Sequence, residues 1–315
     1  MLYDLIIIGG GPAGVSSAVY AARKQLKTLL IAYEFGGQSF VSPKIENWIG
    51  APAISGQELA DNLKKHAETY KGEFLEIKEG EKVRVVEKSE NGFKVKMESG
   101  TDSAVDGASY ETKTVLLATG SVRRKLEVPG ADKFENKGIT YCASCDGPMF
   151  AGQDVAIIGG GNAAFETAAQ LLSYCKSVTL LNRSNRYRAD ELTVQKVLAN
   201  PKMRGLFNAE LQEIKGDKFV TGLTYRDKVS EKTEEIKVTG VFSEIGQISN
   251  TSMVKDLVEL NEYGQIKVNP RTQATSAPGA WAAGDCTDGL YHQNNISAGD
   301  AVKALENLYL WLHTK

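Results

Sequence analysis

The residues best suited to chemistry lie between Tyr141 and Gly147, in the stretch YCASCDG. Cys142 and Cys145 are three residues apart and Asp146 follows at once. Such a pair can ligate a metal, close a structural disulphide, or cycle between dithiol and disulphide. The acid beside it can move protons for the pair or cap a helix. Spacing alone leaves these readings open. Structural zinc usually takes four ligands, and no second close pair of cysteines or histidines accompanies this one. The other two cysteines, Cys175 and Cys286, are isolated, and Cys175 in the run AAQLLSYC reads as apolar packing. The three histidines, His66, His292 and His313, fall in no recognisable catalytic motif, so Asp146 is the candidate acid/base.

Two glycine turns stand ready to position a redox partner for the pair. YDLIIIGGGPAGVSSAVYAARK opens the chain, and QDVAIIGGGNAAFETAAQLLSY repeats it from Gln153. Each reads as a buried apolar strand, a glycine turn and a helix rich in small residues. The spacing, about 150 residues, is too long for a solenoid repeat and indicates two domains of one fold type. In the first copy Gly9, Gly11 and Gly14 form GxGxxG, with Pro12 and Ala13 between them. The first glycine makes the tight turn, the second admits a pyrophosphate to the backbone, and the third lets helix and strand pack closely. The phosphates would sit on the helix N-terminus, where free N–H groups and the dipole favour negative charge. Glu34 lies 20 residues beyond Gly14, at the end of the next predicted strand, where a carboxylate reaches an adenosine ribose. The second copy has Gly159, Gly161, Asn162 and Ala164. Its next strand ends on Asn182 rather than an acid, and Arg183, Arg186 and Arg188 follow. Arginines without the acid suit a 2′-phosphate, hence NADP; the plainer reading is a solvated charged loop.

Composition sets the frame. The chain has 315 residues, 42% of them hydrophobic, enough for about two domains. A net charge of −2 gives no broad basic surface for nucleic acid. No apolar run is long enough to span a membrane, and the opening residues read as a strand rather than a signal peptide, so the expected location is cytoplasmic. In that reducing compartment a CxxC pair is more often catalytic or metal-binding than a permanent staple.

The remaining segments complete an α/β pattern. SGQELADNLKKHAETY predicts a helix capped by Ser55, with Glu58 three residues on. VRVVEKSENGFKVKME predicts a hairpin turning at Asn91-Gly92. A strand then runs into Thr119 and Gly120, and a later one, GAWAAGDC, ends on Gly284 and Asp285 before a final helix. The fold class expected is α/β, with two Rossmann-like dinucleotide-binding domains of three-layer ββα type, the second inserted in the first. Residues 1–117 and 248–315 would form one domain and 118–247 the other, with crossings near ATGSVRRKLEVPG and SEIGQISN.

Taken together, GGGPAG, FGGQ, IENWIG, ATG, CASCDGPMF, GGGNAAFE, AAGDC and HQNNISAG resemble the low-molecular-weight thioredoxin reductase family over essentially the whole chain. They are nearly as similar to the reductase core of the alkyl hydroperoxide reductase flavoprotein subunit. The resemblance implies FAD in the first domain, NADPH in the second, a redox-active disulphide, a homodimer and a thioredoxin-like dithiol protein as partner. It carries FAD contacts onto Gly36, Gly37, Gln38, Asn47, Asp285, Gln293 and Asn294. NADPH contacts fall on Gly159, Gly161, Ala164, Arg183 and Arg188. It also implies that Cys145 faces the flavin, that Cys142 attacks the partner disulphide, and that the second domain rotates against the first between these tasks. The family's usual phosphate run has a histidine and two adjacent arginines, where this chain has Asn182, Arg183 and Ser184. NADH is therefore an alternative donor, ferredoxin is another because some members of similar fold take electrons from it, and a peroxiredoxin-linked dithiol carrier is the alternative acceptor. The peroxide-linked flavoproteins carry an extra N-terminal thioredoxin-like region. This chain begins at the flavin motif, so a separate dithiol carrier is expected.

Overall fold

Leu5, Ile6, Ile7 and Ile8 show no polar alternation, and the strand they form is buried on both faces. Leu5 and Ile7 pack with Val15, Ala18 and Leu305, while Ile6 and Ile8 pack with Phe93, Val95 and Val115 on the other side. The computed structural model that shows this describes residues 2–42, 44–99 and 102–314, for 99 and 102–106 the backbone alone.

The chain divides into two units, Met1–Val122 with Ile248–Lys315, and Arg123–Gln247. The first crossing thus falls at Val122, beyond Thr119 and Gly120. Strand Ser121–Arg123 pairs with strand Gln247–Ser249, so the two crossings run as one two-stranded ribbon.

In the first unit one sheet runs in the order Leu75–Glu79, Thr28–Phe35, Leu2–Gly10, Asp102–Leu117, Gly92–Ser99, Val83–Ser89. Strand Ala280–Ala282 also pairs with Asp102–Leu117. The left part is parallel, with Ile6 opposite Leu29 and Val115. The right part is antiparallel, with Phe93 opposite Thr112. Helices Pro12–Arg23, Gly56–Glu68 and Asn294–Thr314 cover one face of the parallel part. The expected cap is present: Ser55 Oγ accepts the Glu58 N–H at 3.1 Å. The hairpin turn is displaced by one residue from the expected Asn91-Gly92, because Gly92 pairs with Ser89 and leaves Glu90-Asn91 as the loop.

In the second unit a parallel sheet runs in the order Met203–Leu206, Ser177–Leu181, Asp154–Ile158, Gly240–Ser243, Ile139–Thr140. Helix Asn162–Leu171 packs on one face through Phe165, Ala168 and Leu171. The antiparallel strands Ala209–Gly216, Val220–Asp227 and Thr233–Ile236 cover the other through Ile214, Leu223 and Tyr225. Each unit is therefore a three-layer ββα arrangement around a parallel sheet.

Candidate functional site

In an open parallel sheet the ligand crevice lies outside the carboxyl ends of the strands. In the first unit that edge carries the first glycine turn. Gly9 takes φ +124°, and a Cβ at Gly14 would lie 1.8 Å from the Gly9 carbonyl oxygen, so only glycine lets the helix start this close to the strand. Gly11 and Gly37 face each other without side chains, a Cβ on Gly37 lying 3.6 Å from Gly11 Cα. Pro12 starts the helix at its first turn and Ala13 is buried beneath it. The Glu34 side chain is exposed at the end of strand Thr28–Phe35.

Residues far apart in sequence meet at the same edge. Gln38 Nε2 donates to Ser121 Oγ at 2.9 Å and to Asp285 Oδ2 at 3.1 Å. Ser297 donates to the other Asp285 oxygen at 3.3 Å. Asn47 donates to Gln293 Oε1 at 3.1 Å, and Ser39 donates to Asn294 Oδ1 at 3.0 Å. Gly284 sits between Ala13 and Ser297. Thr119 and Gly120 offer carbonyls that accept the side-chain amide and the backbone N–H of Asn250. A side-chain-free turn flanked by this polar network fits an extended dinucleotide.

In the second unit the edge displays four features in spatial order, set by the strand order above. Beyond Ile139–Thr140 come Cys142 and Cys145; beyond Gly240–Ser243 comes Glu244; beyond Asp154–Ile158 comes the Gly159 turn; beyond Ser177–Leu181 comes Asn182. Cys142 and Cys145 form a disulphide, with Cα atoms 5.3 Å apart. Cys142 caps the single helical turn Ala143–Asp146, and its sulfur receives the Cys145 N–H at 3.2 Å. An N–H aimed at sulfur favours a thiolate there once the disulphide opens. Asp146 does not use its side chain as a cap. It accepts a hydrogen bond from Thr140 Oγ1, while its Oδ1 is buried without a partner among the described residues. Burial pushes the Asp146 carboxyl up, against the opposing pull of the Thr140 hydroxyl and the Arg123 guanidinium. A carboxyl kept protonated longer than usual suits proton delivery to a departing thiolate.

The remaining cysteines are inert. Cys175 and Cys286 are buried in apolar cores, and burial raises both thiols. Among the described residues no cluster of His, Cys, Asp or Glu could hold a metal ion.

The loop after Asn182 is organised by that residue. Asn182 is buried, and its Nδ2 donates to the carbonyls of Ser184 at 3.1 Å and Arg186 at 2.8 Å. The Arg188 N–H donates to the Gly160 carbonyl at 2.7 Å, tying the loop to the glycine turn. Asn162 Oδ1 accepts the Asp190 N–H at 2.8 Å at the far end of the loop. Arg183, Arg186 and Arg188 are exposed, and no acidic partner engages them among the described residues. Gly161 has no heavy atom within 4 Å of where a Cβ would stand, and Ala164 is fully buried against the sheet.

Residues 3–302 match the family described as "Pyridine nucleotide-disulphide oxidoreductase". The chain belongs to that family. Its members use FAD and a pyridine nucleotide. Among solved structures, the thioredoxin reductase of Streptococcus pyogenes MGAS5005 is 33% identical with a TM-score of 0.87, covering 100% of this chain and 99% of that one. The thioredoxin reductase of Giardia duodenalis is 30% identical with a TM-score of 0.89, covering 99% of each chain. Among curated relatives, the "NADH dehydrogenase" of Bacillus subtilis (strain 168) is 38% identical over 302 residues, 96% of this chain and 57% of that protein. The F component of the alkyl hydroperoxide reductase of Escherichia coli (strain K12) is 37% identical over 303 residues, again 96% and 57%. The chain thus spans a little over half the length of these curated relatives. Among the described residues no helix is long and apolar enough to cross a membrane.

Within this oxidoreductase frame, several further residues take part at the two edges. Ser297 and Ser121 complete the Asp285–Gln38 network. Arg123 donates to the Tyr141 carbonyl, directly before Cys142, and stacks on the Tyr141 ring at 5.8 Å. Tyr141 in turn donates to Glu135 at 2.9 Å, and burial with this contact raises its phenol. Glu244 is partly buried and accepts from Thr167 Oγ1 at 2.6 Å. Arg123 and Glu244 reach the edge through the pairing of strands from distant sequence positions, which no local pattern announces, whereas Ser297 and Tyr141 lie inside HQNNISAG and YCASCDG, where their bonds cannot be read.

Proposed function

We propose that this chain is a flavin-dependent disulphide reductase, passing electrons from NADPH through FAD to the Cys142–Cys145 pair and on to a thioredoxin-like protein disulphide. The observation that carries this reading is the Cys142–Cys145 disulphide on the same sheet edge as a dinucleotide turn, followed at once by the half-buried Asp146.

The first unit supplies the residues to hold FAD. The Gly9–Gly14 turn takes its pyrophosphate and Glu34 its adenosine ribose. The Gln38, Asp285 and Ser297 network meets the ribityl hydroxyls, and Asn47, Gln293 and Asn294 line the far end. The second unit holds the nicotinamide nucleotide at Gly159, Gly161 and Asn162, with Arg183 and Arg188 on the 2′-phosphate. When bound, FAD supplies two-electron chemistry between the reduced nicotinamide and the protein disulphide.

The chain's own residues perform the exchange that follows. The Cys142 thiolate attacks one sulfur of the partner disulphide, forming a mixed disulphide and releasing the other partner sulfur as a thiolate. Asp146 gives that sulfur its proton. Cys145 gives its proton to the carboxylate left on Asp146 and attacks the Cys142 sulfur, restoring the Cys142–Cys145 bond; the second partner sulfur leaves as a thiolate and takes that proton from Asp146, freeing the partner as a dithiol. The Cys145 N–H at the Cys142 sulfur supports Cys142 as the attacking group. A homodimer belongs to the same proposal. Ile49 and Leu290, each 82% exposed on the first unit, are apolar groups such an assembly could cover.

The likeness to the F component of alkyl hydroperoxide reductase favours one second reading, a dithiol carrier of a peroxide-reducing system as acceptor. Anaerobic titration of the flavin-loaded protein with NADPH, NADH and reduced ferredoxin tests the donor. Bleaching by NADPH is expected, and bleaching by ferredoxin alone overturns the nicotinamide assignment. Cys142→Ser should lower reduction of a thioredoxin-type protein at least about a thousandfold while leaving flavin reduction intact. Persistent partner reduction in that variant removes Cys142 from the attacking role.

A further inference from the structure

Glu244 is the carboxyl at the centre of the second unit's edge. Strand Gly240–Ser243 lies between Ile139–Thr140 and Asp154–Ile158, with Phe242 opposite both Thr140 and Ile157. The residue that follows it therefore stands between the redox cysteines and the glycine turn. Its backbone is packed against that turn: the Glu244 N–H donates to Ile158 O at 2.8 Å, and a Cβ at Gly159 would lie 2.4 Å from the Glu244 oxygen and 3.2 Å from its Cβ.

The edge order fixes which half of a dinucleotide Glu244 meets. The arginine loop after Asn182 lies on one side of the glycine turn, and it takes the adenosine end. The pyrophosphate rests on the turn and the helix start. The other half must run the opposite way, over Glu244 and toward Cys142 and Cys145. We propose that Glu244 is a specificity-determining residue of the nucleotide site, its carboxyl facing the nicotinamide half and setting the preference between the neutral reduced ring and the cationic oxidised ring. This rests on the reading of the Gly159–Ala164 turn as a pyridine nucleotide site.

The chemistry is a matter of charge. An ionised Glu244 attracts the oxidised ring, which carries a positive charge, and does nothing comparable for the reduced ring. A protonated Glu244 treats the two alike. Burial pushes this carboxyl up to about 7, against the Thr167 hydroxyl and the Arg123 guanidinium, which favour the anion, while Glu166 on the same helix opposes it. Beyond the neighbouring strand the titratable groups are Tyr141, held by Glu135, and Asp146, held by Thr140. Glu244 thus changes charge near neutrality, and the selectivity changes with it.

The test compares NAD⁺ with hydride-inert tetrahydro-NAD, whose ring is neutral, by calorimetry on the FAD-loaded protein between pH 6 and 8.5. Both carry the same phosphates, so their ratio of affinities isolates the ring. In the native chain that ratio should shift about tenfold toward NAD⁺ as pH rises through neutrality, the size expected for one charge pair at a partly solvated site. Glu244→Gln should hold the ratio flat at its low-pH value. Thr167→Val, which removes a donor that favours the anion, should move the midpoint to higher pH while keeping the full shift. A flat ratio in the native chain, or an unchanged shift in Glu244→Gln, overturns the assignment of Glu244 alone. Failure of both nucleotides to bind at any pH overturns the nucleotide reading of the turn, and this inference with it.

Discussion

The chain builds the same strand, glycine turn and helix twice, and the copies diverge at the end of the strand that follows. After the first turn that strand ends in Glu34, whose carboxylate is exposed and available to a ligand. After the second it is followed by Asn182, which is buried and spends its amide on two carbonyls of its own loop. The register sets the two residues apart: Ile8 pairs with Ile31 and Ile158 with Leu181, so Asn182 takes the place of Ala32 and Glu34 lies two residues further on. The scaffold leaves Arg183, Arg186 and Arg188 facing solvent without acidic partners among the described residues. Two copies of one strand, turn and helix pattern thus carry opposite charge beyond the following strand.

The third turn position should separate the copies most sharply. Gly14 has a backbone oxygen 1.8 Å from any Cβ, whereas the second copy already accommodates Ala164 in the fully buried equivalent place. Gly14→Val forces strand and helix apart at a cost of about 3 kcal/mol. The purified variant should carry little flavin and melt well below the native protein. Ala164→Gly adds only helix-propensity loss, about 1 kcal/mol. Its flavin content per chain, read from visible absorbance, should match the native value. Equal flavin loss in both variants would mean that the two turns do not serve separate ligands.

Asn182→Asp is the next test, since it gives the second copy an acid just beyond its strand, near where the first has Glu34. If ribose selection depended on an acid alone, this change would produce an NAD⁺ site. The hydrogen bonds predict otherwise. An aspartate cannot donate to Ser184 O and Arg186 O, and its charge faces both carbonyls. Two lost bonds and that repulsion amount to about 2–3 kcal/mol. NADP⁺ should bind roughly 30- to 100-fold more weakly with no matching gain for NAD⁺. Arg183→Ala, by contrast, should cost only about tenfold for NADP⁺ and nothing for NAD⁺. A clean switch of preference in Asn182→Asp would show that the loop does not need its amide anchor.

The contrast between the copies is half legible in the sequence. Glycine turns are legible because close backbone approach is a local demand, and Ser55 is legible because a cap is satisfied within one turn. The Asn91-Gly92 hairpin pattern lands one residue off because Gly92 joins the strand: a Cβ there would meet Thr112 O at 2.5 Å, a neighbour distant in sequence. Asn182 can be read as a missing acid, but its two carbonyl bonds depend on a loop path that no propensity encodes. Glu244 is invisible for a stronger reason. Its place between the cysteines and the turn depends on a strand from positions 240–243 inserting between strands from 139–140 and 154–158. Gln38 and Asp285 likewise meet across 247 residues. The resemblance names these two by motif, but the bond between them belongs to the tertiary fold.

The smallest expected effect tests the exposed partner in the comparison. Glu34→Gln keeps the shape and an acceptor oxygen but removes the charge. A hydrogen bond from a ribose hydroxyl to a carboxylate exceeds one to an amide by about 1 kcal/mol, and at an exposed position solvent takes part of that difference. The FAD dissociation constant, measured by reconstituting the flavin-free protein, should rise only about fivefold. NADP⁺ affinity, which belongs to the other copy, should not change. Such a small loss follows from the proposed site, in which the glycine turn and the Gln38–Asp285–Ser297 network would hold the ligand together with one carboxylate. A loss of a hundredfold or more would mean that Glu34 anchors the whole site, and that the first copy depends on its terminal residue as heavily as the second depends on Asn182.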